Sequence, residues 1–369
     1  MSRSALWLII SVSLLFSMGL LMVFNTTAAE IIDRSLETDT HAALIKQGAY
    51  SLVGIFLGLL VYWWGYEKLI RHSYVLLMIG AVFLVFVFIP GLGMTINGAR
   101  RWLGLFGMPV GQPSEAIKVL LPSAYIGWYL KQQKPVALKP FLKMLAWLSI
   151  PMALILFEPD NGTTLILFLL LMVLFFLTRI RLLYWALPLF VLATLGSVAA
   201  YHMPHVHTRL QVYLHPELDL RGKGHQPYQA KIAAGSGRLW GRGLGESLQK
   251  LNYLPEARSD YIAAIYAEET GFVGMVVLIA LYVILASSGF VIAMRCVEGG
   301  SFYLASILTF LISIQAFINL GVVSGLLPSK GMTLPFFSQG GSSLMVNFIA
   351  LFILLDISRK TKRSEYGAS

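Results

Sequence analysis

The sequence predicts an all-α, polytopic membrane protein of about ten transmembrane helices, and three observations carry that prediction. Only 12% of the 369 residues are charged, where a soluble domain has about 25%. Hydrophobic residues make up 57% of the chain, and the mean hydropathy is +0.73. So few polar groups cannot cover a globule in water, so the solvent must be lipid. The apolar residues are also gathered into stretches near the length of about 20 residues that a helix needs to cross a bilayer.

Those stretches lie roughly at 5–24, 46–65, 73–91, 114–131, 142–157, 162–179, 182–201, 262–287, 302–323 and 343–358. The first is a 20-residue run behind a single Arg3. A signal-peptide core is shorter, about 7–15 residues, so a retained first helix is expected. Lys and Arg then set the orientation. With the N-terminus inside, the inner segments hold 14 basic residues and the short outer segments hold 6. The positive-inside rule therefore places both termini in the cytoplasm. It also accounts for the net charge of +10 without invoking nucleic acid. One polar loop of 60 residues, His202 to Tyr261, is left on the outer side. No fixed-period repeat or linker divides the chain, so residues 1–369 are expected to form one integral membrane domain. The single cysteine, Cys296, excludes an internal disulfide and a thiolate metal cage.

The carboxylates are sorted as well: 14 of 18 fall on the outer half. The segment GARRWLGLFGMPVGQPSEAIK (Gly98–Lys118) places Arg100, Arg101 and Trp102 at the outer edge. Paired guanidiniums beside an interfacial Trp suit an anionic headgroup or a diphosphate, and they equally suit plain interfacial anchoring. Ser114 follows Pro113 as an N-cap. Glu115 and Lys118 are three residues apart and share a helix face, either as an ion pair or as the lining of a polar site. FEPDNGTT (Phe157–Thr164) reads as a tight turn between two helices, holding Glu158 and Asp160 at the membrane edge.

In the long loop, AKIAAGSGRLWGRGLGES (Ala230–Ser247) is glycine-rich. It lacks the Walker A pattern and has no preceding strand for a dinucleotide fingerprint. Its glycines suit close backbone packing, with Arg238 and Arg242 available to anions. His202, His205 and His207 are explained as surface or membrane-edge histidines before a metal cluster. Asp260 follows Ser259 just before the next apolar stretch. Helix capping alone explains an acidic residue there.

Five segments in this order resemble the SEDS family of polytopic membrane glycosyltransferases. They are GARRWLGL…QPSEAIK, EPDNGTT, KIAAGSGRLWGRGLGES, LNYLPEARSDYIAAIYAEETGFVG and NLGVVSGLLPSKGMTLPFFSQGGSSLM, and together they span Gly98 to Met345, about two thirds of the chain. The run SLQKLNYLPEARSD is more similar to the division (FtsW-like) branch than to the elongation (RodA-like) branch. The resemblance implies a peptidoglycan glycosyltransferase that polymerises lipid II outside the inner membrane. Asp260 then matches the family's essential loop aspartate, Glu115 and Lys118 its Glu/Lys pair, and Arg101 and Asp160 the corresponding motif positions. Gly340, Gly341 and Ser342 match the last Gly-Gly-Ser-Ser turn. Three positions depart from the pattern: Gln339 replaces a usual Tyr, Arg258-Ser259 a smaller pair, and Asn161 an apolar residue.

The chemistry implied is attack of a sugar 4-hydroxyl on an anomeric carbon whose leaving group is a lipid diphosphate. Asp260 is the expected general base. Arg101, Lys118, Arg238 and Arg242 are the expected diphosphate ligands. A divalent cation, Mg2+ or Mn2+, is compatible with Glu115 or Asp160, but no ligand set is readable. The resemblance also implies a class B penicillin-binding protein as the cross-linking partner. A lipid II flippase and a non-catalytic scaffold of the division or elongation complex are the competing classes. The flippase reading is disfavoured because helix interruptions are not paired in two halves.

Overall fold

The computed structural model describes residues 2–34, 41–96, 98–105, 108–201, 213, 224–249, 258–328 and 331–367. His202, His205 and His207 lie outside the described residues. Eleven helices and one small sheet are present among those described. The helices are α1 (Arg3–Arg34), α2 (Ala42–Trp64), α3 (Tyr66–Phe88), α4 (Pro113–Tyr129), α5 (Leu138–Phe157), α6 (Asn161–Leu177), α7 (Leu182–Tyr201), α8 (His225–Ser236), α9 (Ile262–Met294), α10 (Gly299–Val323) and α11 (Gly341–Gly367).

Each of the ten apolar stretches falls on one of these helices; α8 is the addition. Seven helices are long and apolar enough to cross a membrane: α1, α2, α3, α5, α9, α10 and α11. Those seven are counted among the described residues; α4 and α6 are shorter, with 17 residues each. Some boundaries differ from the sequence estimate. α1 continues to Arg34, so Glu30 and Asp33 stand on a helix instead of in a loop. α9 continues to Met294.

The all-α class holds, and one small sheet is added to the helices. Between α3 and α4 the chain forms an antiparallel three-stranded sheet, β1 (Gly93–Ile96), β2 (Ala99–Leu105) and β3 (Met108–Gly111). Gly98 takes φ +74 in the turn between the first two strands, a conformation that favours glycine. Bulges interrupt both strand pairings. Five glycines, Pro109 and the turn at Gly98 suit the segment to a sheet more than to a helix. The sheet satisfies its backbone locally and projects Arg101 from β2.

Burial separates the helices into two groups. In α10, 72% of the membrane-spanning window is buried, and in α11 67%, against 22% in α2 and 28% in α5. α4 is buried along almost all of its length, including Ser114, Glu115, Lys118 and Ser123. Polar groups within the membrane thickness therefore sit inside the bundle, where partners are available. The outer ring meets lipid through Leu52, Phe56, Val75, Ile79, Phe272 and Val283. Buried hydroxyls tie α4 to the end of α6: Tyr125 Oη lies 2.8 Å from Thr178 Oγ1, and Tyr129 Oη donates to the Thr178 carbonyl at 2.8 Å.

Candidate active site

Five segments meet around one cavity of about 810 Å3. β2 brings Arg101 and Trp102, α4 brings Glu115 and Lys118, and the α5–α6 turn brings Asp160. The turn before α9 brings Ser259 and Asp260. The segment leading into α11 brings Gln339, Gly340, Gly341 and Ser342. Eight of the ten residues expected at the site thus border the same space: Asp260, Arg101, Glu115, Lys118, Asp160, Gly340, Gly341 and Ser342. Arg238 and Arg242 do not border it.

The Glu115–Lys118 pair forms as the spacing predicted, with Lys118 Nζ 2.7 Å from Glu115 Oε2. Both side chains are at least nine-tenths out of solvent or close to it. Burial of each charge is offset by the other, since two isolated ions here would cost several kcal/mol each, on the order of the effective desolvation penalty.

Asp160 does two things. Its Oδ1 accepts from the Thr163 backbone N–H at 3.1 Å, which caps α6. Its Oδ2 accepts from Thr163 Oγ1 at 2.9 Å and from Gln112 Nε2 at 3.1 Å. The turn reading of EPDN is therefore realised at a residue that also borders the cavity. Arg101 approaches Asp160 to 4.0 Å and donates to the carbonyls of Glu158, at 3.0 Å, and Pro159, at 2.6 Å. The sheet is thereby fastened to the α5–α6 turn, with the guanidinium held at the cavity wall.

Glu158 is the odd member of this group. It is 1% exposed, and neither carboxyl oxygen has a hydrogen-bond partner among the described residues. Desolvation first, then the nearby Asp160 charge, pushes its carboxyl up to about 8, against the opposing pull of Arg101.

Asp260 is positioned by backbone. Asn319 on α10 donates through Nδ2 to the Asp260 carbonyl at 2.8 Å and to the Met332 carbonyl at 2.7 Å. One amide thus ties the turn before α9 to the strap before α11. A Cβ at Gly331 would stand 3.0 Å from Asp260 Oδ2, so glycine there leaves room at the carboxylate. The Gln339 N–H donates to the Arg258 carbonyl at 3.0 Å, and the Gln112 N–H to Ser342 Oγ at 2.9 Å.

The glycine-rich segment is built into a separate feature. Arg242 pairs with Glu268 at 3.4 Å, and its N–H donates to the Glu268 carbonyl at 3.0 Å. Ser247 Oγ donates to Glu268 Oε2 at 2.5 Å, and the N–H groups of Leu248 and Gln249 also point to Glu268. Asn25 on α1 donates to Glu269 Oε2 at 2.5 Å. Gly271 interrupts α9 with φ +67, and a Cβ there would overlap the Gly241 backbone. The two buried glutamates hold the loop onto α9, so Arg242 is engaged away from the cavity.

Among the described residues, no three His, Cys, Asp or Glu side chains are gathered to hold a metal. Glu115 is occupied by Lys118, and both Asp160 oxygens are engaged. Several cavity residues were not anticipated from sequence: Gln112, Thr163, Gln226, Gln315 and Ser343. Gln315 and Asn319 did carry a signal, being polar residues one helical turn apart in an apolar span.

A family model described as cell cycle protein, FTSW_RODA_SPOVE, matches residues 5–363. The chain belongs to the FtsW/RodA/SpoVE family. It is 37% identical to the probable peptidoglycan glycosyltransferase FtsW of Legionella pneumophila subsp. pneumophila, over 98% of this chain and 92% of that protein. The corresponding FtsW of Alcanivorax borkumensis is 38% identical, over 91% of this chain and 88% of its own. Among solved structures, a chain from a peptidoglycan synthase complex that coordinates polymerization and crosslinking superposes with TM-score 0.77. It is 25% identical and covers 96% of this chain and 97% of its own. The rod shape determining protein RodA of Thermus thermophilus shares the fold, with TM-score 0.69 and 24% identity over 96% of each chain. The family assignment accords with the five sequence segments and with a multi-pass membrane fold.

Proposed function

We propose that this chain is a peptidoglycan glycosyltransferase that polymerises lipid II on the outer face of the cell inner membrane. One observation carries the reading: Asp260 borders the same cavity as the cations Arg101 and Lys118. The names of the FtsW relatives support the activity.

Asp260 takes the proton of the acceptor 4-hydroxyl as that oxygen attacks the donor's anomeric carbon. The anomeric carbon–oxygen bond breaks, and its electron pair leaves with the lipid diphosphate. Lys118 and Arg101 stabilise the charge that develops there. A single displacement inverts the anomeric centre. Glu115 holds Lys118 in place through their ion pair, and Asp160 stands 4.0 Å from Arg101 at the cavity wall. Mg2+ or Mn2+ belongs in this proposal as a companion of the substrate diphosphate, because Mg2+ is ordinarily held by phosphates with one or two carboxylates. Strands made in this way need cross-linking; the peptidoglycan synthase complex that resembles this fold coordinates polymerization and crosslinking, which supports a cross-linking partner, here a class B penicillin-binding protein.

The test is polymer formation from lipid II by the purified protein, alone and with its class B partner. Asp260→Asn is expected to slow polymerisation by about 100-fold or more, with unchanged thermal stability. A folded Asp260→Asn protein that polymerises at the wild-type rate removes the base role.

A further inference from the structure

We infer that Gln315 is a positioning residue for the sugar portion of the substrate, an assignment that rests on the functional reading above. Gln315 stands on α10 one turn from Asn319, the residue that holds the Asp260 backbone. It borders the cavity and is 4% exposed. Its Oε1 is sealed from solvent and accepts no hydrogen bond among the described residues. A buried amide oxygen without a donor is unfavourable, and an apolar side chain at this position would avoid that cost.

The chemistry of the missing partner follows from the atom that lacks one. A carbonyl oxygen needs an N–H or O–H. A diphosphate ionised at neutral pH offers acceptors only, and the cavity already presents Lys118 and Arg101 to it. A sugar hydroxyl or an acylated sugar amine supplies the donor. In this structure the oxygen is buried in the wall. The terminal torsion of Gln is broad and two-fold, and in the proposed complex the amide turns its oxygen to a sugar bound in the cavity that Asp260 also borders. Gln315 therefore acts on where the sugar lies, and Asp260 on the proton.

The experiment compares Gln315→Met, a near-isosteric apolar change, with the wild-type protein in detergent. Binding of lipid II and of undecaprenyl diphosphate, which lacks the sugar, is measured together with polymerisation and Tm. The expected result is roughly tenfold or more weaker binding of lipid II, unchanged binding of undecaprenyl diphosphate, slower polymerisation, and a Tm that is unchanged or higher. Equal weakening of both ligands assigns Gln315 to the diphosphate and overturns the inference. A lower Tm with unchanged lipid II binding assigns it to packing and also overturns it. Gln315→Ala, measured in the same way, carries the test if the Met variant does not fold. Wild-type protein that forms no polymer defeats the functional reading itself, whereas polymerising wild type with an unaffected Gln315→Met variant defeats only this inference.

Discussion

Glu158 and Lys118 show how far burial changes a charged side chain in this site. The Glu158 carboxyl is pushed up to about 8 from an ordinary 4.5, so the folded protein binds its proton more tightly than the unfolded chain does. The stabilisation this gives is complete below about pH 4.5 and is lost as pH rises through about 8. Glu158→Gln is expected to flatten the fall in Tm between pH 6 and pH 9, measured by thermal unfolding in detergent. An equally steep fall in the variant assigns the pH dependence to another group. Lys118 is a different case, a buried cation paired with Glu115 at 2.7 Å. Lys118→Met leaves Glu115 buried and unpaired, which is expected to cost about 3–5 kcal/mol of stability by denaturant unfolding. Adding Glu115→Gln to that variant is expected to restore most of the loss, because the stranded charge is then gone. If the double variant is no more stable than the single one, the penalty comes from packing.

Short helices and turns are held by side chains from distant elements. Gly65 turns the chain between α2 and α3 with φ +95 and has no side chain to cap α3. Asp356 of α11, fully buried, does so instead by accepting from the Tyr66 N–H at 3.0 Å. The same carboxylate pairs with Arg359 at 2.7 Å and Lys360 at 3.2 Å, and Lys360 also reaches Glu67. Asp356→Ala is expected to lower stability by about 1–2 kcal/mol, the usual worth of a lost N-cap, or more if the basic residues stay in place. The glycine-rich loop has a comparable clasp at Glu268 and Glu269. Glu268→Ala is expected to free the segment around 242–249 without touching the cavity, read as faster proteolysis of that segment at full lipid II binding. Undiminished protection would assign the loop's hold to Gly271 packing.

For the whole molecule, the central question is which side of the membrane the cavity faces. The positive-inside count sets the glycine-rich loop outside and the N-terminus inside. In a Cys296→Ser background, Gln249→Cys is expected to react with a membrane-impermeant thiol reagent on intact spheroplasts, and Ser2→Cys only after lysis. The reverse pattern inverts the topology and places the cavity on the wrong side for polymerising an exported substrate.

The sequence by itself determined the solvent, the helical class, the register of the apolar stretches and most of the charged residues at the cavity. Composition reports the surrounding phase directly, and a charge in lipid is costly enough that each one stands out. The Glu115–Lys118 pair was legible because three-residue spacing on a helix is a local property. The sheet at 93–111 was not, since its bulged strands are short and held by contacts with the α5–α6 turn. Only the tertiary structure decided that Arg101 enters the cavity while Arg242 turns to Glu268. Both are arginines in polar outer segments, and nothing local separates them. Gln315 was readable as a polar residue in an apolar span, but its meaning required the position of Asp260. That position depends on Asn319 joining the turn before α9 to the strap before α11, an interaction between residues far apart in the chain. Helices form from neighbours in sequence, whereas a cavity is made of side chains whose neighbours are chosen by packing.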